Sequence, residues 1–302
     1  MLDIETRKHQ GGYLINLQIE SLAYKTPVTG SVVMVAPPPN PSTTSNLLST
    51  QSSLIQTMCA FLTVSIHHIL YLRSIYPRVS FLSTRAYNFP ARQNRHPAVC
   101  GWVNSAIDAI RDQLEKNTVE RVAICIFKVQ KNVVLERWTF DLRAFPVVEK
   151  GDQDTPFEKQ AEDNDASEID LKRNINAADL EAQFRAMLSG ITSSSARLSA
   201  LPRDTECSFT VSIEVRDEAD RPVGRLEKEE RKWIAAEPEP WSDVEEQQGD
   251  PEGDEGAKRK VATCKGNGKT IPIRKLEAGE LRMEVWVEQS KEKFTPESSS
   301  RA

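Results

Sequence analysis

Apolar positions along this chain change period several times, and each period predicts an element. Gln51 to Leu72 contains no charged residue and is apolar on nearly every side, the pattern of a helix at the centre of a fold. Its length would also cross a bilayer. But Gln56, Thr57, Thr63, Ser65, His67 and His68 would place polar groups at every depth of the lipid, where they are costly. A buried helix fits these residues better. His96-Pro97 opens a second helix, with proline in the first turn where its missing N–H costs nothing. Val99, Trp102, Val103, Ala106, Ile107, Ile110 and Leu114 form its apolar stripe. A third helix starts near Asn176, a plausible cap, and aligns Leu180, Phe184, Met187, Leu188 and Ile191 on one face.

Strand periods fill the gaps. Arg121 to Val129 is apolar on both alternating faces, which predicts a central strand. Glu136, Trp138, Phe140 and Leu142 alternate with Arg137, Thr139 and Asp141 after a turn at Asn132, which predicts a hairpin. Cys207, Phe209, Val211, Ile213 and Val215 share one face of another strand, and a last one turns Leu281, Met283, Val285 and Val287 inward. Helices and strands in this order, without βαβ repetition, predict an α+β fold with a single domain over about residues 51–290.

Other segments carry too little apolar content to offset chain entropy. Residues 1–50, with Ala36-Pro37-Pro38-Pro39-Asn40-Pro41 and Ser/Thr repeats, predict a disordered tail. The acidic stretches 149–170 and 237–262 predict disordered insertions, and residues 291–302 a second tail.

Charge and motifs narrow the function mostly by exclusion. The chain has 39 basic and 44 acidic side chains and a net charge of −5, which excludes a generally basic nucleic-acid coat. Cys59, Cys100, Cys125, Cys207 and Cys264 are scattered, with no C-x-x-C pair, so neither a disulfide framework nor a zinc site is expected. The opening MLDIETRKHQ lacks the basic-then-apolar order of a signal peptide, so an intracellular soluble protein is expected. Gly266-Asn267-Gly268-Lys269-Thr270 looks like the tail of a phosphate-binding loop, but Thr263 stands where that motif needs glycine. His67 and His68 are adjacent, so on a helix they cannot grip one metal; one buried and one rim histidine are expected. Nothing here asks for a catalytic residue, a metal or a cofactor. Arg73, Arg78, Arg85, Arg92 and Arg95 crowd one predicted loop in a stretch with no acidic residue between Glu20 and Asp108. Such a loop, 73–95, is the one candidate for a direct DNA-binding module, although no nucleic-acid motif accompanies it.

Three tryptophans say more. Trp286 falls on the polar face of the last strand beside Arg282, Glu284 and Glu288, where a large aromatic suggests a binding anchor. Trp233 opens an apolar patch, Trp233-Ile234-Ala235-Ala236, just before the acidic insertion, and Trp102 sits early in the second helix.

Several runs, in order and spacing, resemble the HORMA family: Phe61-Leu62, Ile69-Leu70-Tyr71, Ile75-Tyr76-Pro77, Tyr87-Asn88-Phe89-Pro90, His96-Pro97, Leu114-Glu115-Lys116-Asn117, Cys207-Ser208-Phe209-Thr210-Val211, and Ile271-Pro272-Ile273 through Leu281 to Glu288. Within the family the likeness is to the mitotic-arrest-deficient-2-like accessory subunits of DNA polymerase zeta. The resemblance implies a mostly antiparallel sheet backed by three helices, and a C-terminal safety belt, here about Trp233 to Glu288, wrapped over a partner peptide added to the sheet. It implies a proline-containing segment of the polymerase's catalytic subunit gripped at Trp102, Trp233 and Ile234. It also implies a second surface at Thr270, Glu284 and Trp286 for a deoxycytidyl-transferase scaffold, and a HORMA–HORMA dimer contact at Arg185. Trp102 and Trp286 stand where tyrosine is more familiar, and Thr270 replaces a larger apolar residue. A nuclear, non-catalytic adaptor in DNA damage tolerance is the expectation, with Lys258-Arg259-Lys260 fitting nuclear import. A spindle-checkpoint or meiotic-axis HORMA protein that binds other closure motifs is the alternative of the same fold.

Overall fold

The structure is a computed structural model that describes residues 2–9, 12–19, 47–149, 151–157, 175–202, 205–216, 269–278 and 281–293. In chain order the elements are β1 (Leu2–His9), β2 (Gly12–Ile19), β3 (Leu47–Leu48), α1 (Gln51–Leu72), β4 (Phe81–Ala86), β5 (Phe89–Asn94) and α2 (Pro97–Glu115). Then come β6 (Val119–Lys128), β7 (Val133–Asp141), β8 (Ile175–Asn176), α3 (Ala177–Arg197), β9 (Cys207–Arg216), β10 (Lys269–Ala278) and β11 (Leu281–Gln289). Seven strands make one antiparallel sheet in the order β1-β2-β9-β6-β7-β11-β10. The fold is α+β, with the three helices described packed on one face of that sheet.

The helices form where periodicity puts them, and side chains close their ends. The Thr50 hydroxyl accepts from the Ser53 amide at the start of α1, and the Asn176 side chain accepts from the Ala178 amide at 2.9 Å at the start of α3. At the far end of α2, Asn117 turns left-handed (φ 58°) and the Thr118 amide reaches back to the Gln113 carbonyl, a Schellman-type stop. α1 is long and apolar enough to cross a membrane, yet it is the core helix. It runs against α2, α3 and β5, and Phe61 stacks on Phe184 of α3 at 4.2 Å while meeting Phe140 of β7 edge-on. β6 lies between β9 and β7, and its side chains are buried on both faces from Val122 to Lys128, as its continuous apolar run predicts.

Five expectations need correction. Residues 291–293 of the expected C-terminal tail form a short helical turn with Lys293 held on Glu136, and 294–302 lie outside the described residues. The first 50 residues are not a uniform tail, because β1 and β2 form a hairpin whose second strand pairs with β9. Its period-2 signal, Tyr13, Ile15, Leu17 and Ile19, is present, but the Pro/Ser/Thr composition of residues 36–46 masks it. The acidic stretch 149–170 also begins packed. The Gln153 carbonyl accepts from the Ser52 amide at 3.1 Å, and Phe157 is buried with its amide on the Ser49 carbonyl. The rest of that stretch described as an insertion, and all of 237–262, lie outside the described residues. The arginine-rich loop is instead a short helical turn followed by a β-hairpin, β4–β5, joined by Tyr87-Asn88, both with positive φ as a two-residue turn requires. Finally, neither histidine is at the rim: both are buried, and burial pushes the pKa of each down to about 4. The Nδ1 of His67 accepts from the Asn94 amide, and His68 Nε2 lies 2.9 Å from the Thr192 hydroxyl.

Candidate functional site

Trp102 projects from the first turns of α2 into the layer beneath β9. Its indole meets the ring of Phe209 edge-on at 4.8 Å, and Phe209 in turn meets Tyr76 at 6.2 Å. Trp102 is only 7% exposed, and its indole N–H has no hydrogen-bond partner among the described residues. An unmade bond at a buried donor costs about 1–3 kcal/mol, so an arriving carbonyl would be welcomed there. The trio Tyr76, Trp102 and Phe209 lies under the outer half of the sheet, beside β9. Sequence reading singled out Trp102 and not the two rings it packs with. The signal was available, since Phe209 occupies an inward position of its strand and Tyr76 directly precedes a proline that ends its turn. Trp233 and Ile234, the other residues expected to grip a peptide, lie outside the described residues.

Thr270, Glu284 and Trp286 lie along one face of the β10–β11 hairpin, with Thr270 opposite Glu288. On β11 the inward positions are Leu281, Met283, Val285, Val287 and Gln289, so Glu284 and Trp286 share the opposite face. Register places Trp286 between Pro272 on β10 and Thr139 on β7, with Thr270 two residues along from Pro272. Proline is tolerated at Pro272 because β10 is an edge strand. Trp286 is half-buried and Thr270 exposed, while Glu284 is ion-paired across the hairpin with Lys275. Arg185 is exposed on α3 and donates its Nε to the Tyr87 carbonyl at 2.9 Å, tying the β4–β5 turn to the helix.

The arginines of 73–95 do not form one patch. Arg73 leaves it altogether: its guanidinium is buried and bidentate on Glu136 of β7, with bonds of 2.8 and 2.5 Å, and reaches the Ser199 carbonyl at 2.7 Å. Lys293, just past β11, donates to the same carboxylate and to Ser199. Burial holds the Lys293 ammonium below the ordinary lysine range, against the pull of Glu136. Arg78 and Arg92 lie over the Tyr71 ring, 5.6 and 4.9 Å from its centre, a cation–π pair of contacts on the hairpin side of α1.

The cavity lined by Leu114, Asn117, Val119, Phe145 and Arg216 has a volume of about 10 Å³, room for one water. Burial pushes the Cys59 thiol up to about 11 and raises Cys100 and Cys207 too, the reverse of nucleophile activation. No cluster of three or more metal-ligating side chains occurs among the described residues.

Comparison with known proteins agrees with the geometry. Residues 53–221, more than half of the chain, match the HORMA domain family. The DNA polymerase zeta processivity subunit of Schizosaccharomyces pombe is 28% identical over 76% of this chain and 89% of its own length. The mitotic spindle assembly checkpoint protein MAD2B of Danio rerio is 25% identical over 78% of this chain and 90% of its own. Among solved structures, a chain of the mitotic checkpoint complex superposes with a TM-score of 0.51 at 14% identity, covering 78% of this chain and 98% of that one. HTP-2 bound to HTP-3 motif-6 gives 0.52 at 11% identity, over 81% and 93%. Sequence motifs, sheet order and these likenesses agree: the chain belongs to the HORMA domain family.

Proposed function

We propose that the protein is a non-catalytic adaptor subunit of translesion DNA polymerase zeta that acts in the nucleus. In this reading it adds a proline-containing segment of the catalytic subunit as a strand beside β9 and holds it under the chain that follows. Trp102, with Trp233 and Ile234, would grip the segment, and Thr270, Glu284 and Trp286 would receive the scaffold protein. The observation that carries it is topological. The chain leaves β9 at Arg216 and re-enters the sheet at Lys269 on the far edge strand, with β6, β7 and β11 between. Four strand spacings and the offset along the strands together make a gap on the order of 30 Å, whereas residues 217–268 could extend to about 170 Å. A length so far beyond the gap suits a strap that closes over a peptide lying by the aromatic trio. Backbone pairing then supplies affinity, and the strap slows release.

The test is the release of a fluorescent proline-containing peptide from the polymerase zeta catalytic subunit, bound to the full chain. Trp102→Ala and Trp233→Ala should each release it at least about tenfold faster, the loss of about 1.4 kcal/mol or more. If the folded chain does not bind the peptide at all, the polymerase assignment fails and checkpoint or meiotic-axis motifs become the next probes.

A further inference from the structure

A strand can join a sheet only where backbone N–H and C=O groups face outward unpaired. β9, the strand above Trp102, meets β6 on its inner side from Cys207 to Val215. On its outer side it is already paired with β2, from Leu17↔Val211 to Gly12↔Arg216. That pairing stops at Val211, so Cys207 to Thr210 carry no second strand among the described residues. Phe209 lies in this short stretch, with its ring on Trp102. β1 folds back along the whole of β2, from Leu2↔Ile19 to His9↔Gly12, and runs against α2, the helix that bears Trp102. The outermost strand, LDIETRKH, has Asp3, Glu5, Arg7 and Lys8, the charge-rich composition of a strand that ends a sheet rather than one that invites another.

We infer that the protein's own N-terminal hairpin, residues 2–19, occupies the partner-strand position on β9. A partner enters at Cys207–Thr210, over the aromatic trio, and displaces β2 from Val211–Arg216. This rests on the proposed function for the identity of the partner, not for the displacement itself. Because the hairpin is tethered through residues 20–46, it competes at an effective concentration in the millimolar range. A partner's apparent affinity is then lowered by the fraction of molecules with the hairpin docked. The nearly complete burial of Trp102 in the free chain fits an occupied site rather than an open groove.

The experiment uses the full chain and its Ile15→Pro/Asn16→Pro variant. Successive N–H groups of a strand point to opposite sides, so one of the two prolines removes a donor facing β9. Two readouts are taken: hydrogen exchange at the β9 amides 211–215, and stopped-flow association of the same fluorescent peptide. Expected are faster β9 exchange in the variant without peptide, and peptide association at least about tenfold faster than in the unaltered chain. A synthetic peptide of residues 1–20, added in trans, should restore both. Equal β9 protection and equal association in the two proteins would overturn the inference, as would loss of peptide binding in a folded variant. If neither protein binds the polymerase peptide, the functional reading fails. The exchange and trans-peptide arms still decide whether the hairpin holds β9.

Discussion

Both ends of the sheet are closed by hairpins, and the C-terminal one carries side-chain ties beyond its strand pairing. At the C-terminal end, β10–β11 is tied to the core by side chains. Glu136 sits between Arg73 at the end of α1 and Lys293 past β11, and Gly190 of α3 lets Ile273 approach to where a Cβ would be 2.9 Å away. At the N-terminal end, β2 joins β9 by strand pairing over Gly12 to Leu17, with part of the β9 edge left over. Those ties bear on how readily the C-terminal end can exchange. Breaking a buried ionic tie exposes uncompensated charge, whereas backbone pairing can be handed from one strand to another with little net change.

Glu136→Ala should break the comparison most severely. It leaves Arg73 and Lys293 buried beside each other without their shared carboxylate, at a cost of about 3–5 kcal/mol in urea unfolding. If the loss is under about 1 kcal/mol, the C-terminal end is not held by this tie. Acid probes the core that both ends share. The native state does not protonate His67 until about pH 4, while the unfolded chain does so near 6.5. The unfolded state therefore binds more protons in between, and stability falls as pH drops from about 6.5 to about 4, by about 3 kcal/mol from this group. His67→Gln should reduce that slope, with His68, also lowered to about 4, supplying the remainder, measured as unfolding midpoints across the range. Gly190→Val should be milder. Its methyls meet Ile273, and overpacking of this kind costs about 1–3 kcal/mol. Hydrogen exchange should rise in β10 and stay unchanged in β2. The smallest effect on global stability belongs to the proline pair in β2, under about 1 kcal/mol, because a terminal hairpin opens locally. That same variant should change peptide association the most, which is the sharpest form of the contrast.

Local rules made much of the core legible. The stripes of α2 and α3 and the alternation of β7, β9 and β11 appear where their periods place them, because one face of each must leave water. The Asn176 cap could be read for the same local reason. The β4–β5 hairpin could not, since Arg85, Arg92 and the residues between them show no clean alternation, and the Tyr87-Asn88 turn lacks glycine. Trp286 on the polar face was legible from its neighbours' charges alone, whereas Trp102 looked like an ordinary core aromatic. Only its ring contact with Phe209 and its lone N–H distinguish it.

The sequence by itself determined the elements, the apolar faces they bury and the family motifs, all of which depend on residues a few positions apart. Tertiary structure alone decided who meets whom across the chain. Glu136 reads as one more inward position between Leu135 and Trp138, but its cations come from 63 and 157 residues away. Nothing in the spacing of residues 2–19 says that they end on β9, some 200 positions later by register of Gly12 with Arg216. Strand edges are generic donors and acceptors without a side-chain code. Which strand fills an edge is settled only when the whole sheet has closed around it.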